Sequence, residues 1–245
     1  MTLLEHLEEL RRRIIYAVLA VAIAFSVCWV YAQEIFRWLC APIQPYLPPG
    51  TKLAFIGIVD PFVLYMKVAL LVGLFVASPI VLYQIWGFVS PGLYSREKRW
   101  AVPFIFFGSA FFIAGGLFAY YVAFPFAVQF LLGIGQDFQP VITVENYFSF
   151  LTFVMLASGL MFELPVLIFL LAEIGVVTPR FLMRHFRWAV LLIFIVAAII
   201  TPTPDIFNMC LIALPALGLY LLGVGAAWLF GRGRRKARSE ELART

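Results

Sequence analysis

The sequence has little charge. Only 13% of its 245 residues are Asp, Glu, Lys or Arg, against 64% hydrophobic, whereas a soluble domain carries about 25% charge. That excludes a soluble globular chain. The ~10-residue alternation of a membrane β-barrel is also missing, because the apolar runs are long and unbroken. Cysteine is sparse: Cys28, Cys40 and Cys210 form no CxxC and no metal spacing, so neither a disulfide framework nor a metal or cofactor site is expected. The two histidines, His6 and His185, have no companion ligands. HExxH, GxSxG, Walker and GxGxxG motifs are absent, as is a nucleophile–base pair at membrane depth. These absences exclude an enzyme, an intramembrane protease included. No internal repeat is visible. What remains is an all-α polytopic membrane protein, read as one membrane domain over 1–245.

Six spans are expected, at about 14–32, 62–86, 101–124, 147–172, 188–201 and 206–230. The first follows the acids Glu5, Glu8 and Glu9 and holds 20 uncharged residues from Ile14 to Gln33. It therefore reads as a true span rather than a cleaved leader, whose apolar core is about 7–15 residues behind a basic lead. Fifteen of the 18 basic residues fall on one side of this arrangement. They lie in the N-terminal segment, the 96–99 loop, the 180–187 loop and the tail 231–245. Arg37, Lys52 and Lys67 lie at the other face. The positive-inside rule then places both termini in the cytoplasm, and membrane orientation accounts for the basic residues without a nucleic-acid partner. Trp86, Trp100, Trp188 and Trp228 mark the same ends, as interfacial aromatic residues do. The fifth span, "WAVLLIFIVAAIIT", has 14 residues, roughly 21 Å of helix against a hydrocarbon core of about 30 Å. Either this hairpin stops short of the outer surface or the bilayer thins around it. Pro79, Pro103, Pro125, Pro165 and Pro215 lie in or beside spans and are expected to kink them, giving a curved, concave bundle. The proline-rich outer loop 33–61 reads as an ordered cap, opening on a short interfacial helix with Ile35, Phe36 and Leu39 on one face.

Three places hold candidate chemistry. "TLLEHLEELRRR" (2–13) fits a capping box followed by an amphipathic helix. Its Glu8–Arg12 and Glu9–Arg13 spacings allow ion pairs worth only tenths of a kcal/mol each. In "FVSPGLYSREKRW" (88–100), Glu97 sits among Arg96, Lys98 and Arg99. It is either a balanced loop charge or a carboxylate displayed for a cationic ligand, which guanidinium groups pair with bidentately. Glu163 lies inside the fourth span, in "ASGLMFELPVLIFLLAE". A charge at mid-bilayer costs about 2.5–3.5 kcal/mol on insertion scales, so an ionisable residue there is a functional candidate. It reads as an acid facing a wet concavity, or as one hydrogen-bonded across helices to Ser78 or Gln84.

The motifs "HLEELRRR" (6–13), "SPIVLYQIWGFVSPGLYSREKR" (78–99), "YYVAFP" (120–125), "FELP" (162–165) and "TPTPD" (201–205) resemble, in order and spacing, the TatC family of twin-arginine protein translocase receptor subunits. The resemblance runs from about Glu5 to Gly231. It implies a glove-shaped bundle in the bacterial cytoplasmic (inner) membrane that binds the twin-arginine signal peptides of folded cargo and nucleates a translocation complex. The acids implied for that binding match Glu9 and Glu97, with Arg11, Phe88, Pro91 and Tyr94 in the same motifs. The family's intramembrane acid matches Glu163, its outer-loop proline Pro42, and the acid of its last outer turn Asp205. The implied partners are single-span Tat subunits of the TatA/TatB type, taken to lie along spans five and six, where Gly218, Gly223, Gly225 and Ala226 allow close approach. Further copies of the chain within the complex and the lipid bilayer complete the partners. Leu221 stands where many members carry an acid after the aromatic residue of span six. The competing reading is a proton-coupled secondary transporter using Glu163, which calls for inverted repeats and paired acids at depth.

Overall fold

The computed structural model describes residues 3–46, 53–89, 101–135, 141–201 and 205–242. Among these the only β feature is one bridge between Ala54 and Thr143. Most of the rest is helical. Five helices are long and apolar enough to cross a membrane, and a sixth, Phe186–Ile200, is shorter. Its 15 residues span about 22 Å, in keeping with the short fifth span read from the sequence. The chain divides into two compact units, 1–159 and 160–245.

In the first unit, α1 (Leu3–Val30) is unbroken, so the amphipathic segment and the first span form one helix. After it come α2 (Ala32–Leu39) and α3 (Asp60–Val89). α1 and α3 run antiparallel and are joined along their length. Trp29 meets the edge of Phe62 at 5.5 Å. One turn further in, a Cβ on Gly73 would stand 3.0 Å from the Phe25 backbone nitrogen, so glycine is what lets the two backbones approach. At the far end His6 stacks on Phe88 at 4.5 Å. α3 then packs on α4 (Ala101–Phe118) through Phe75 on Phe112 and Trp86 on Phe104.

The helix after α4 does not end near Phe124, where the sequence reading stopped it. A π turn, Ala119–Ala123, leads into α5 (Phe124–Ile134). Pro125 falls in the first turn of α5, where a missing N–H is tolerated. The wider π coil ahead of it shifts the register at the point where the proline ring would otherwise press on the preceding turn.

The loop read as an outer cap, 33–61, is described except for residues 47–52, and its first part closes over the end of α2. Helix α2 ends in buried Leu39 and Cys40, and two tyrosines donate to its last carbonyls. Tyr120 Oη bonds Trp38 O and Tyr147 Oη bonds Leu39 O, each at 2.5 Å. Tyr120 also stacks on Trp38 at 4.4 Å. Ala54 N–H donates to Ile142 O and Val144 N–H to Ala54 O, tying the loop before α3 to the start of α6 (Val144–Phe162).

The second unit holds α7 (Leu164–Glu173), α8 (Pro179–Arg184), α9 (Phe186–Ile200) and α10 (Ile206–Leu242). Gly175, at φ +82°, closes α7. Val176 N–H reaches Leu171 O at 2.9 Å and Gly175 N–H reaches Ala172 O, the six-to-one and five-to-two bonds of a Schellman cap. α10 packs on α7 and α9 with Ala213, Ala216, Tyr220, Val224 and Ala227 buried. Gly223 lets α7 close on α10, because a Cβ there would lie 2.8 Å from Pro165 Cα.

Candidate functional site

The N-terminal third of α1 carries two faces. One face, with His6 and Arg13, turns to α3. The other borders a hollow of ≈ 660 Å³ lined by Glu5, Glu8, Glu9, Arg11, Arg12 and Tyr16, among others. Glu9 stands where the two faces meet. Its side chain is only 11% exposed, and Arg13, 22% exposed, pairs with it through Nη2 and Oε1 at 3.3 Å. The same guanidinium donates from Nη1 to Gln84 Oε1 at 3.3 Å, across to α3. It lies against Gly87, where any Cβ would collide with Nη1 and Cζ. The second carboxylate oxygen, Oε2, is buried without a hydrogen-bond partner, as is Arg13 Nε. Of the two pairs allowed by spacing, then, Glu9–Arg13 forms, while Glu8 and Arg12 stay exposed.

Arg11 is exposed on α1, and Phe88 is half-buried at the end of α3 under His6. Thus Glu9, Arg11 and Phe88 gather at one end of the α1–α3 pair. Pro91, Tyr94 and Glu97 lie outside the described residues.

Glu163 is not inside a continuous helix. It sits at a break between α6 and α7, and the cause is local. Pro165, two residues on, has no N–H to give to Met161 O and its ring crowds that carbonyl. Glu163 N–H turns instead to Leu160 O, three residues back, at 3.2 Å, and Glu163 O accepts from Leu167 N–H at 2.9 Å. The residue is half-buried, and Oε1 is buried with no hydrogen-bond partner. The two polar side chains suggested as its partners are bonded elsewhere: Ser78 Oγ donates to Phe75 O, and Gln84 Oε1 accepts from Arg13.

Asp205 caps α10. Its Oδ1 accepts from Asn208 N–H and its Oδ2 from Asn208 Nδ2, both at 2.8 Å, so the N-cap carboxylate takes both donors of the N3 residue. Pro42 is half-buried in the turn after α2, which Ile43 N–H closes on Cys40 O at 3.3 Å. Gly218 and Gly225 have open space where a Cβ would stand, whereas Gly223 is filled from within the chain. Leu214, Leu221 and Leu229 are exposed on the same face of α10 as those two open glycines. Among the described residues no group of acids, cysteines and histidines is placed to hold a metal.

Sequence reasoning found Glu9 and Arg13 as a pair but not Gln84 and Gly87, which lie more than 70 residues along the chain. The aromatic–glycine run around Trp86 was the available signal. It also missed Tyr120 and Tyr147 as the donors that hold the end of α2.

Known proteins resemble this chain over nearly its whole length. A family profile described as Sec-independent protein translocase protein (TatC) matches residues 5–215. A relative called Sec-independent protein translocase protein TatC from Koribacter versatilis (strain Ellin345) is 44% identical, across 99% of this chain and 91% of its own length. The protein of the same name from Campylobacter jejuni subsp. jejuni serotype O:2 is 41% identical over 89% of this chain and 90% of its own. The crystal structure of a twin arginine translocase receptor, TatC, in DDM superposes with a TM-score of 0.78 at 35% identity. It covers 91% of this chain and 99% of the solved one.

Proposed function

Because the chain belongs to the TatC family of Sec-independent protein translocase proteins, we propose that it is the receptor subunit of a twin-arginine translocase. In this reading it is a non-enzymatic protein-transport subunit. It binds the twin-arginine signal peptide of folded precursors at its cytoplasmic face and nucleates the complex that exports them. The observation that carries the site is Glu9, a carboxylate held on the flank of α1 with one oxygen buried and unpartnered. A twin-arginine ligand brings two forks of donors, each matching a carboxylate in a way lysine cannot. Glu97 is the second acid, with Arg11, Phe88, Pro91 and Tyr94 around the two. Nothing favours a proton-coupled transporter, since the family match and the named relatives are those of a protein translocase.

The chain acts as one membrane domain in the bacterial cytoplasmic membrane with both termini inside, a reading supported by the distribution of its basic residues. Single-span Tat subunits pack along α9 and α10. Gly218 and Gly225 leave open surface there, and small residues let helix backbones approach closely. Leu221, 44% exposed on that face, makes the contact apolar where many members place an acid. Photocrosslinking from Ile206 or Leu211 should capture such a subunit, and capture only from α1 or α4 would count against the placement. Glu163 serves as the intramembrane polar site, and Pro42 and Asp205 hold the outer turns.

The deciding experiment is binding of a twin-arginine signal peptide, and of its twin-lysine version, to the purified chain in lipid nanodiscs. The parent should prefer the arginine peptide. Glu9→Ala and Glu97→Ala should each weaken binding by roughly ten- to hundredfold, the cost of a lost charged hydrogen-bond partner, with no fall in folded protein. Equal binding by parent and both variants would overturn the site.

A further inference from the structure

Glu9 is not presented by α1 alone. An exposed i,i+4 ion pair on one helix flickers among rotamers and stabilises little. The Glu9–Arg13 pair is different on three counts. Both side chains are largely buried. The guanidinium is fixed from a second helix by Gln84 Oε1. Its place against α3 exists only because residue 87 has no Cβ. We propose that Arg13 is a positioning residue for the signal-peptide site. Clamped by Gln84 and Gly87, it holds Glu9 by Oε1 and leaves Oε2 as the acceptor that an arriving guanidinium must reach.

This inference rests on the assignment of Glu9 as a ligand-binding acid made above, and it adds the origin of selectivity. Arg13 already supplies one positive charge to Glu9, so bulk cationic charge in a peptide gains little there. What remains is one desolvated oxygen without a partner, a group that is costly to leave unsatisfied. A directional N–H donor relieves that cost. The carboxylate is thereby tuned to the geometry of its ligand rather than to its charge.

A double-mutant cycle on the full-length chain in nanodiscs, read by binding of a fluorescent twin-arginine signal peptide, tests this. Arg13→Gln should weaken binding about tenfold, the scale of one charged hydrogen bond. In a Glu9→Gln background the same change should cost nothing further, because positioning residues act through the group they position. Gly87→Ala, which leaves both side chains intact but places a methyl group on the guanidinium, should reproduce the loss and show the same dependence on Glu9. Arg13→Lys should restore only part, since one ammonium cannot span Glu9 and Gln84 as a fork does. If Arg13→Gln reduces the folded yield, the Gly87→Ala cycle decides alone. Losses that multiply independently of Glu9, or a parent-like Arg13→Gln beside an impaired Glu9→Gln, would overturn the clamp while leaving the receptor site standing. A parent-like Glu9→Gln would instead remove the site on which the clamp depends.

Discussion

Single residues in this chain are controlled by what α2 and its neighbours bury. Cys40 sits under the cap at the end of α2, and burial pushes its thiol from 9.0 up to about 12. The folded chain thus keeps its proton through the range where an unfolded chain releases it. Between pH 9 and 12 the unfolded state binds fewer protons, so stability from this group falls as pH rises. The accessible consequence is reactivity, because the thiolate is the nucleophile. Iodoacetamide at pH 8.5 should leave Cys40 unmodified in the folded protein and alkylate it after denaturation, as read by peptide mass spectrometry. Rapid modification of the folded chain would mean that the cap is open. Tyr147, whose hydroxyl closes that cap on Leu39 O, shows why such residues escape sequence reading. Its partner is 108 positions away, and nothing in the pattern of a span marks one tyrosine as a donor and another as an interfacial anchor.

At the scale of elements, what was legible followed from hydropathy and proline. The long spans and the short fifth follow from run length, and the break at Glu163 from Pro165. Boundaries were less legible. The sequence marks Pro125 as a stop, but the π turn at Ala119–Ala123 carries the helix through to Ile134. Backbone register shifts leave no trace in periodicity when every face is apolar. Glycines were equally ambiguous. Gly218, Gly223 and Gly225 look alike in sequence, yet one is an internal joint and two are open surface. Gly223→Leu should drive α10 off Pro165 and cost about 1–3 kcal/mol, the usual range for overpacking. Gly218→Leu should leave the melting temperature in detergent nearly unchanged and instead weaken capture of a single-span partner. Equal melting temperatures for the two variants would contradict the close approach of α7 and α10.

For the whole molecule, the placement of the basic residues supports an orientation with both termini inside, which labelling tests. In a background lacking Cys28, Cys40 and Cys210, new cysteines at Thr51 and Gln139 should react with an impermeant maleimide added from outside. Cysteines at Ser95 and Met183 should react only after the membrane is opened. External labelling at position 95 would sink the six-span arrangement with both termini inside. Orientation also gives the unbroken α1 a mechanical meaning. Its 28 residues make a rod of about 42 Å, stiff because every interior backbone group is bonded within it. Glu9 is near one end, Trp29 is near the other, and the backbone contact at Gly73 and Phe25 lies toward the Trp29 end. With the His6–Phe88 stack and the Arg13–Gln84 bond released, a rod gripped at Gly73 becomes a first-class lever with its long arm toward Glu9. A tilt of about 5° displaces Glu9, roughly 24 Å from the fulcrum, by about 2 Å and Trp29 by only a fraction of an ångström in the opposite sense. Movement at the Glu9 end would then arrive at the Trp29 end reduced in distance and raised in force.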